Sequence, residues 1–158
     1  MANNCFIDIK IETETAEQAE ELRKELQAAF KDAYRKNLGA FFGCETRYLF
    51  DATVEQTGTE LIIGGWVKWG YLDEEFVDMF NWLRKKVAIK KLNMRYEELG
   101  CDLYGEYDFD GEEARRYFLE HLDFPMCTED DDEYSDDYHE KLEAAYQKNR
   151  VMISIPID

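Results

Sequence analysis

Residues Asn4 to Glu12 set Cys5, Ile7, Ile9 and Ile11 in strict alternation with Phe6, Asp8, Lys10 and Glu12. A period of two puts every second side chain on one face, so this segment is a strand with one buried face that the rest of the fold has to cover. The covering elements follow in order. Thr15 and Gln18 have capping-box spacing, and Leu22, Leu26, Ala29, Phe30, Ala33 and Tyr34 then recur at helical intervals until Gly39 stops the pattern. Tyr48, Phe50, Ala52 and Val54 alternate again, and the Thr57-Gly58 turn leads into Leu61, Ile63, Gly65, Val67 and Trp69, which makes a hairpin. Asp73 is placed to cap a second helix with the stripe Phe76, Val77, Phe80, Leu83 and Val87. Its last turn gathers Arg84, Lys85 and Lys86, as the helix dipole favours. A fourth strand falls near Leu92, Met94 and Tyr96.

The order β-α-β-β-α-β predicts a split β-α-β arrangement, an antiparallel sheet with both helices on one face. Beyond it, Leu103, Gly105, Tyr107 and Phe109 read as a fifth strand, Glu112 to Leu122 as a short helix, and Tyr138 to Asn149 as another. Val151, Ile153, Ile155 and Ile157 read as a closing strand. The expected organisation is one α+β domain over 1–158, with a core at 4–109 and a C-terminal extension at 110–158. At 158 residues with 45% hydrophobic side chains, one core suffices to fold the chain without a cofactor.

Charge separates the two parts. Residues 1–100 hold 18 acids and 14 bases, whereas 101–158 hold 18 acids and 5 bases. An asymmetry of this size repels nucleic acid and anionic membrane and favours a basic protein partner. The opening MANNCFIDIK lacks a basic stretch followed by an apolar one, and no run reaches the length of a membrane span, which points to the cytoplasm. Cys5, Cys44, Cys101 and Cys127 are scattered without a C-x-x-C pair, so reduced thiols are expected rather than a disulfide framework or a zinc site. His139-Glu140-Lys141-Leu142-Glu143 begins like a zinc-protease helix but carries Glu143 where the second histidine belongs. His121 and His139 are therefore expected on the surface, with no catalytic residue and no metal.

GGWVKWG at 64–70 and RYEELGCDLYGEYDF at 95–109 resemble the Api92-like (YubB-like) proteins of phages and plasmids, which carry a ferredoxin-like domain. The shared elements are a Trp-containing strand, a helix, and a Tyr-x-Glu-x-Gly type run ending in an aromatic strand, here Tyr96 to Gly100 and then Gly105. The resemblance implies a ferredoxin-like fold and a mobile-element origin. It transfers no catalytic residue and no iron-sulfur cluster.

The densest local signal is Thr128 to Glu140, where Glu129, Asp130, Asp131, Asp132, Glu133, Asp136, Asp137 and Glu140 fall together. Read as a calcium loop from Asp130, it has Ser135 in place of the required Gly and Lys141 in place of the bidentate Glu. Carboxylates spaced like phosphates can occupy a groove built for DNA, and the Asp/Glu-rich C-terminal third, with Tyr104, Tyr107, Tyr134 and Tyr138 interleaved, is suited to present such a surface. The alternative is a solvated loop. Trp66, Trp69 and Tyr71 are expected in the core rather than as a base-stacking platform. The basic cluster Arg84, Lys85, Lys86, Lys90, Lys91 and Arg95 is expected to neutralise acids within the molecule or between subunits. The functional expectation is a non-enzymatic acidic protein of phage or mobile-element origin, a nucleic-acid mimic that inhibits a host defence protein of the CRISPR or restriction type. Its partner would be a protein with a basic nucleic-acid-binding groove, with no direct nucleic-acid contact. Two alternatives remain at this stage: a divalent-cation enzyme using Glu97, Glu98, Asp102 and Glu106, and a homodimeric assembly module pairing sheet edges.

Overall fold

The computed structural model describes residues 4–32, 49–68, 73–127 and 135–157. These form β1 (Asn4–Thr13), α1 (Ala16–Asp32), β2 (Phe50–Thr57), β3 (Glu60–Lys68), α2 (Asp73–Arg84), β4 (Ile89–Glu98), β5 (Leu103–Phe109), β6 (Ala114–Phe118), α3 (Asp136–Asn149) and β7 (Val151–Ile155). Short 3-10 turns occupy Leu99–Cys101 and His121–Asp123. The strands make one antiparallel sheet in the order β2-β3-β1-β4-β5-β6-β7, so among the described residues the chain is α+β with a seven-stranded sheet and three α-helices.

The alternation in β1 sets the layering. Ile9 stands between Ile63 of β3 and Met94 of β4, and Ile11 between Leu61 and Leu92. All six are fully buried. Each such side chain removed from water contributes about 1.5–3 kcal/mol, so this row is the centre of the main core. Two helices cover it: α1 supplies Ala19, Leu22 and Leu26, and α2 supplies Phe76, Met79, Phe80 and Leu83. The hydroxyl oxygen of Thr15 accepts from the Gln18 N–H (3.2 Å), the cap that the sequence indicates for α1. Gly58 turns the β2–β3 hairpin with φ of 59°, a left-handed conformation that costs glycine little.

The strand segment of the C-terminal third does not form a layer of its own. It lengthens the same sheet beyond β4, and α2 follows it there, stacking Phe76 on Tyr107 (centroids 5.0 Å) and Phe80 against Phe109 (4.6 Å). The expected helix over Glu112–Leu122 is instead β6. Asp110 makes the difference: its Oδ1 accepts from the N–H groups of both Glu112 and Glu113 (2.9 Å each), which turns the chain at Gly111 into a hairpin with β5. Helix-forming residues are thereby held extended by strand pairing, a case of tertiary context overriding local propensity. The closing strand is in place, as is the last helix.

α3 lies on the opposite face from α1 and α2. Tyr104 pairs with Glu97, which pairs with Phe6, and this row alternates with the core row of Ile7, Tyr96 and Gly105. Tyr138, Leu142 and Tyr146, one turn apart along α3, pack there on Leu99, Tyr104 and Leu119 as a second apolar cluster. Among the described residues no helix is long and apolar enough to cross a membrane.

Candidate functional site

The stripe that docks α3 decides which of its side chains remain outside. With Tyr138, Leu142 and Tyr146 turned to the sheet, Asp136, Asp137 and Glu140 are left exposed on the first two turns. The Ser135 hydroxyl caps the helix by accepting from the Tyr138 N–H (3.1 Å), and the two aspartates sit where the helix dipole favours negative charge. Glu129, Asp130, Asp131, Asp132 and Glu133 lie outside the described residues, between Cys127 and the α3 cap.

A polar network fixes the orientation of α3. Arg95 on β4 donates through Nη2 to the Tyr104 hydroxyl and to Glu143 Oε2 (3.1 Å each), and the Tyr104 hydroxyl donates in turn to the same carboxylate. Burial alone would raise the Glu143 carboxyl, but hydrogen bonds from Tyr104, Gln147 and Arg95 together hold it below the ordinary carboxylate range. One turn further along, Glu106 accepts from the Tyr146 hydroxyl (2.8 Å), Asn93 (2.9 Å) and Arg150 (3.4 Å). At the other end of the helix, His139 sets Nδ1 3.0 Å from the Ser135 carbonyl and Nε2 3.5 Å from a Glu97 carboxylate oxygen.

The segment between β6 and α3 is pinned on either side of its apex. The Leu119 N–H donates to the Tyr104 carbonyl (3.0 Å), and the Pro125 carbonyl accepts from the Tyr138 hydroxyl (3.0 Å). Between these anchors His121 meets the Asp102 carboxylate and Leu122 stands 93% exposed, and just past the second anchor Met126 is 87% exposed. Glu120 is also exposed and Asp123 half-buried beside them. His121 and Leu122 also line a cavity of about 480 Å³ whose lining includes Tyr96, Asp102, Arg116 and Phe118. Two large exposed apolar side chains on a segment that also carries Glu120 and Asp123 have the composition of an interaction surface.

Several side chains singled out from the sequence lie elsewhere than expected. Trp66 is 42% exposed on the face away from α1 and α2, edge-on to Phe6 (centroids 5.1 Å), and so is not in the core. Its pairing with Phe6 places it there, because Phe6 alternates with the buried Cys5 and Ile7. Trp69 and Tyr71 lie outside the described residues, as does Tyr134. Tyr104, Tyr107 and Tyr138 do not interleave with surface carboxylates. They are buried anchors, because their rings complete the two apolar clusters. Asp73 is the first residue of α2, and its carboxylate accepts from the Tyr107 hydroxyl and from Arg116 Nη1 (3.4 Å). In the basic cluster, Lys86 pairs with Glu25 (2.6 Å), Lys90 with Glu12 (3.7 Å) and Arg95 with Glu143, so the neutralising acids come mostly from the core.

Arg116 escaped sequence reasoning. It is 8% exposed, donates through Nε to the Tyr96 hydroxyl (3.0 Å), and lies over the Phe118 ring (4.6 Å). Burial and the bond to Asp73 push the Tyr107 hydroxyl well up from its ordinary range, so it stays a donor. No local pattern marks an arginine that a remote aspartate and three aromatic rings will surround. Among the described residues, no group of three His, Cys, Asp or Glu side chains is placed to hold a metal ion. The chain matches no protein-family model, no curated protein and no solved structure.

Proposed function

We propose that the chain is a non-enzymatic binding protein of mobile-element origin, acting in the cytoplasm, whose acidic end occupies the basic nucleic-acid-binding groove of a protein partner. An inhibitor of the anti-CRISPR or anti-restriction type works in this way. One observation carries the reading: Leu122 and Met126 are 93% and 87% exposed on the segment that follows β6, which also carries the exposed Glu120, and the first turn of α3 leaves Asp136 and Asp137 exposed. A partner that covers Leu122 and Met126 recovers about 1.5–3 kcal/mol for each side chain, while the acidic end steers a basic surface into place. In the sequence, Glu129 to Glu133 come shortly before the Ser135 cap and add five acids to the same acidic stretch.

The carboxylates of the enzymatic alternative are engaged in ways that weigh against it. Glu106 accepts from three donors, Glu97 faces His139, and Asp102 holds His121. The order β2-β3-β1-β4 with α1 and α2 on one face supports reading the first four strands as a ferredoxin-like unit, in keeping with the phage and plasmid resemblance.

The test uses the full chain, immobilised, as bait in a nucleic-acid-depleted bacterial lysate. A partner held through its groove is released by short duplex DNA, and a variant with Asp130, Asp131, Asp132, Asp136 and Asp137 changed to Asn fails to capture it. Capture that is indifferent both to duplex DNA and to those substitutions would refute the proposal.

A further inference from the structure

The two edges of the sheet are built differently. At one edge, β2 carries Asp51 and Glu55 and is broken by a register shift between Phe50 and Thr53, with Asp51 at φ of 51°. Charges and bulges of this kind keep an edge strand from pairing with another chain. At the opposite edge, β7 reads Val-Met-Ile-Ser-Ile, with neither charge nor proline in it, and pairs on one side with β6. Met152 and Ile153 are 54% and 38% exposed, and Ser154 is exposed as well.

A groove of about 460 Å³ runs beside this edge, lined by Ile153 and Ile155 of β7 and by Asp73, Glu74, Val77 and Asp78 of α2. Ile153 pairs with Arg116, so it points to the α2 side of the sheet. Any strand added to β7 would therefore send alternate side chains toward α2. Glu74 and Asp78, one helical turn apart, are both exposed there, with Val77 half-buried beside them. Asp73 is already engaged by Tyr107 and Arg116.

We infer that β7 is a docking edge for an extended peptide segment of a partner, about as long as the 5-residue strand itself, with Lys or Arg at alternate positions facing α2. The aliphatic stem of such a side chain lies on Val77 and Ile153, and its cationic head meets Glu74 and Asp78. A second copy of this chain is the poorer occupant, since each copy carries a formal charge of −17. This surface is separate from the acidic end of α3, so either can fail without the other.

The probe is a fluorescent Lys-Val-Lys-Val-Lys-Val-Lys peptide, titrated with the full chain and followed by anisotropy. Two further peptides, N-methylated at alternate amides in either register, keep its charge but block strand pairing in one register each. The expected result is that at least one N-methylated peptide, and the chain carrying Ile153→Lys or Ser154→Pro, bind about tenfold or more weakly, while Asp136→Asn/Asp137→Asn leaves the affinity within about twofold. Circular dichroism of each variant checks that it folds, and the N-methylated peptides need no variant at all. Equal binding of the plain and both methylated peptides would reduce the interaction to charge alone and overturn the inference. So would a sedimentation-detected dimer of the chain that Ser154→Pro dissolves, which would assign the edge to a second copy.

Discussion

Gly105 is a position with no room for a side chain, and Gly105→Ala should show it. The residue sits opposite Tyr96 on β4 and Phe118 on β6. A Cβ there would meet the Tyr117 carbonyl oxygen at 2.4 Å, the Tyr96 hydroxyl at 2.6 Å and its ring carbon at 2.8 Å. A tyrosine hydroxyl can swing aside, but a backbone carbonyl in a strand pair cannot, so β5 and β6 must part locally. Overpacking of this kind costs about 1–3 kcal/mol, and weakening one ladder hydrogen bond adds about 1 kcal/mol. Moving Tyr96 also disturbs its bond to Arg116. The sum is about 3 kcal/mol, which for a domain of this size lowers Tm by about 6–12 °C. Gly64→Ala is the control, because its Cβ would find only the Thr53 hydroxyl at 3.4 Å, an ordinary contact. Urea titration of both variants gives the comparison. If Gly105→Ala lies within about 1 kcal/mol of the wild type, or no lower than Gly64→Ala, the close approach of β4, β5 and β6 described here is wrong.

Leu142→Ala removes a fully buried side chain from the cluster under α3 and should cost about 2–5 kcal/mol in urea titration, with amide exchange accelerated first in α3; unchanged exchange there would contradict the docking of this helix. The Glu143 carboxyl titrates below its ordinary 4.5 in the folded chain, so its contribution is complete at neutral pH and is lost as pH falls through the folded value. The stability difference between the wild type and Glu143→Gln should therefore shrink between about pH 7 and pH 3, and a difference that stays constant or widens would count against the Arg95–Tyr104–Glu143 network.

Much of the fold was legible because its signal is periodic. The alternation in Asn4–Glu12, the Thr15 cap and the Thr57-Gly58 turn are local facts that the sheet preserves. Where a charged residue occupies an inward position the pattern fails. Arg116 interrupts the inward row of Ala114 and Phe118, so β6 presents helix-forming residues with no visible alternation. The edge-on partnership of Phe6 and Trp66, which leaves Trp66 outside the core, depends on register between strands some sixty residues apart. At the candidate site, the charge of Asp136, Asp137 and Glu140 was visible, but the exposure of Leu122 and Met126 was not. Composition assigns apolar residues to a core, whereas hydrogen bonds at Leu119 and Pro125 tie down the chain on either side of Leu122 and immediately before Met126.

The central claim, that the acidic end with its apolar apex is a docking surface, is tested most directly by the association and dissociation rates of the captured partner across salt. Between about 0.1 M and 1 M the screening length falls from about 10 Å to about 3 Å, so steering by the carboxylates should fade over that range. The account predicts that Asn at Asp130, Asp131, Asp132, Asp136 and Asp137 slows association and flattens its salt dependence, while Leu122→Ser/Met126→Ser mainly speeds dissociation. Rates that match the wild type in both variants at low salt would contradict it.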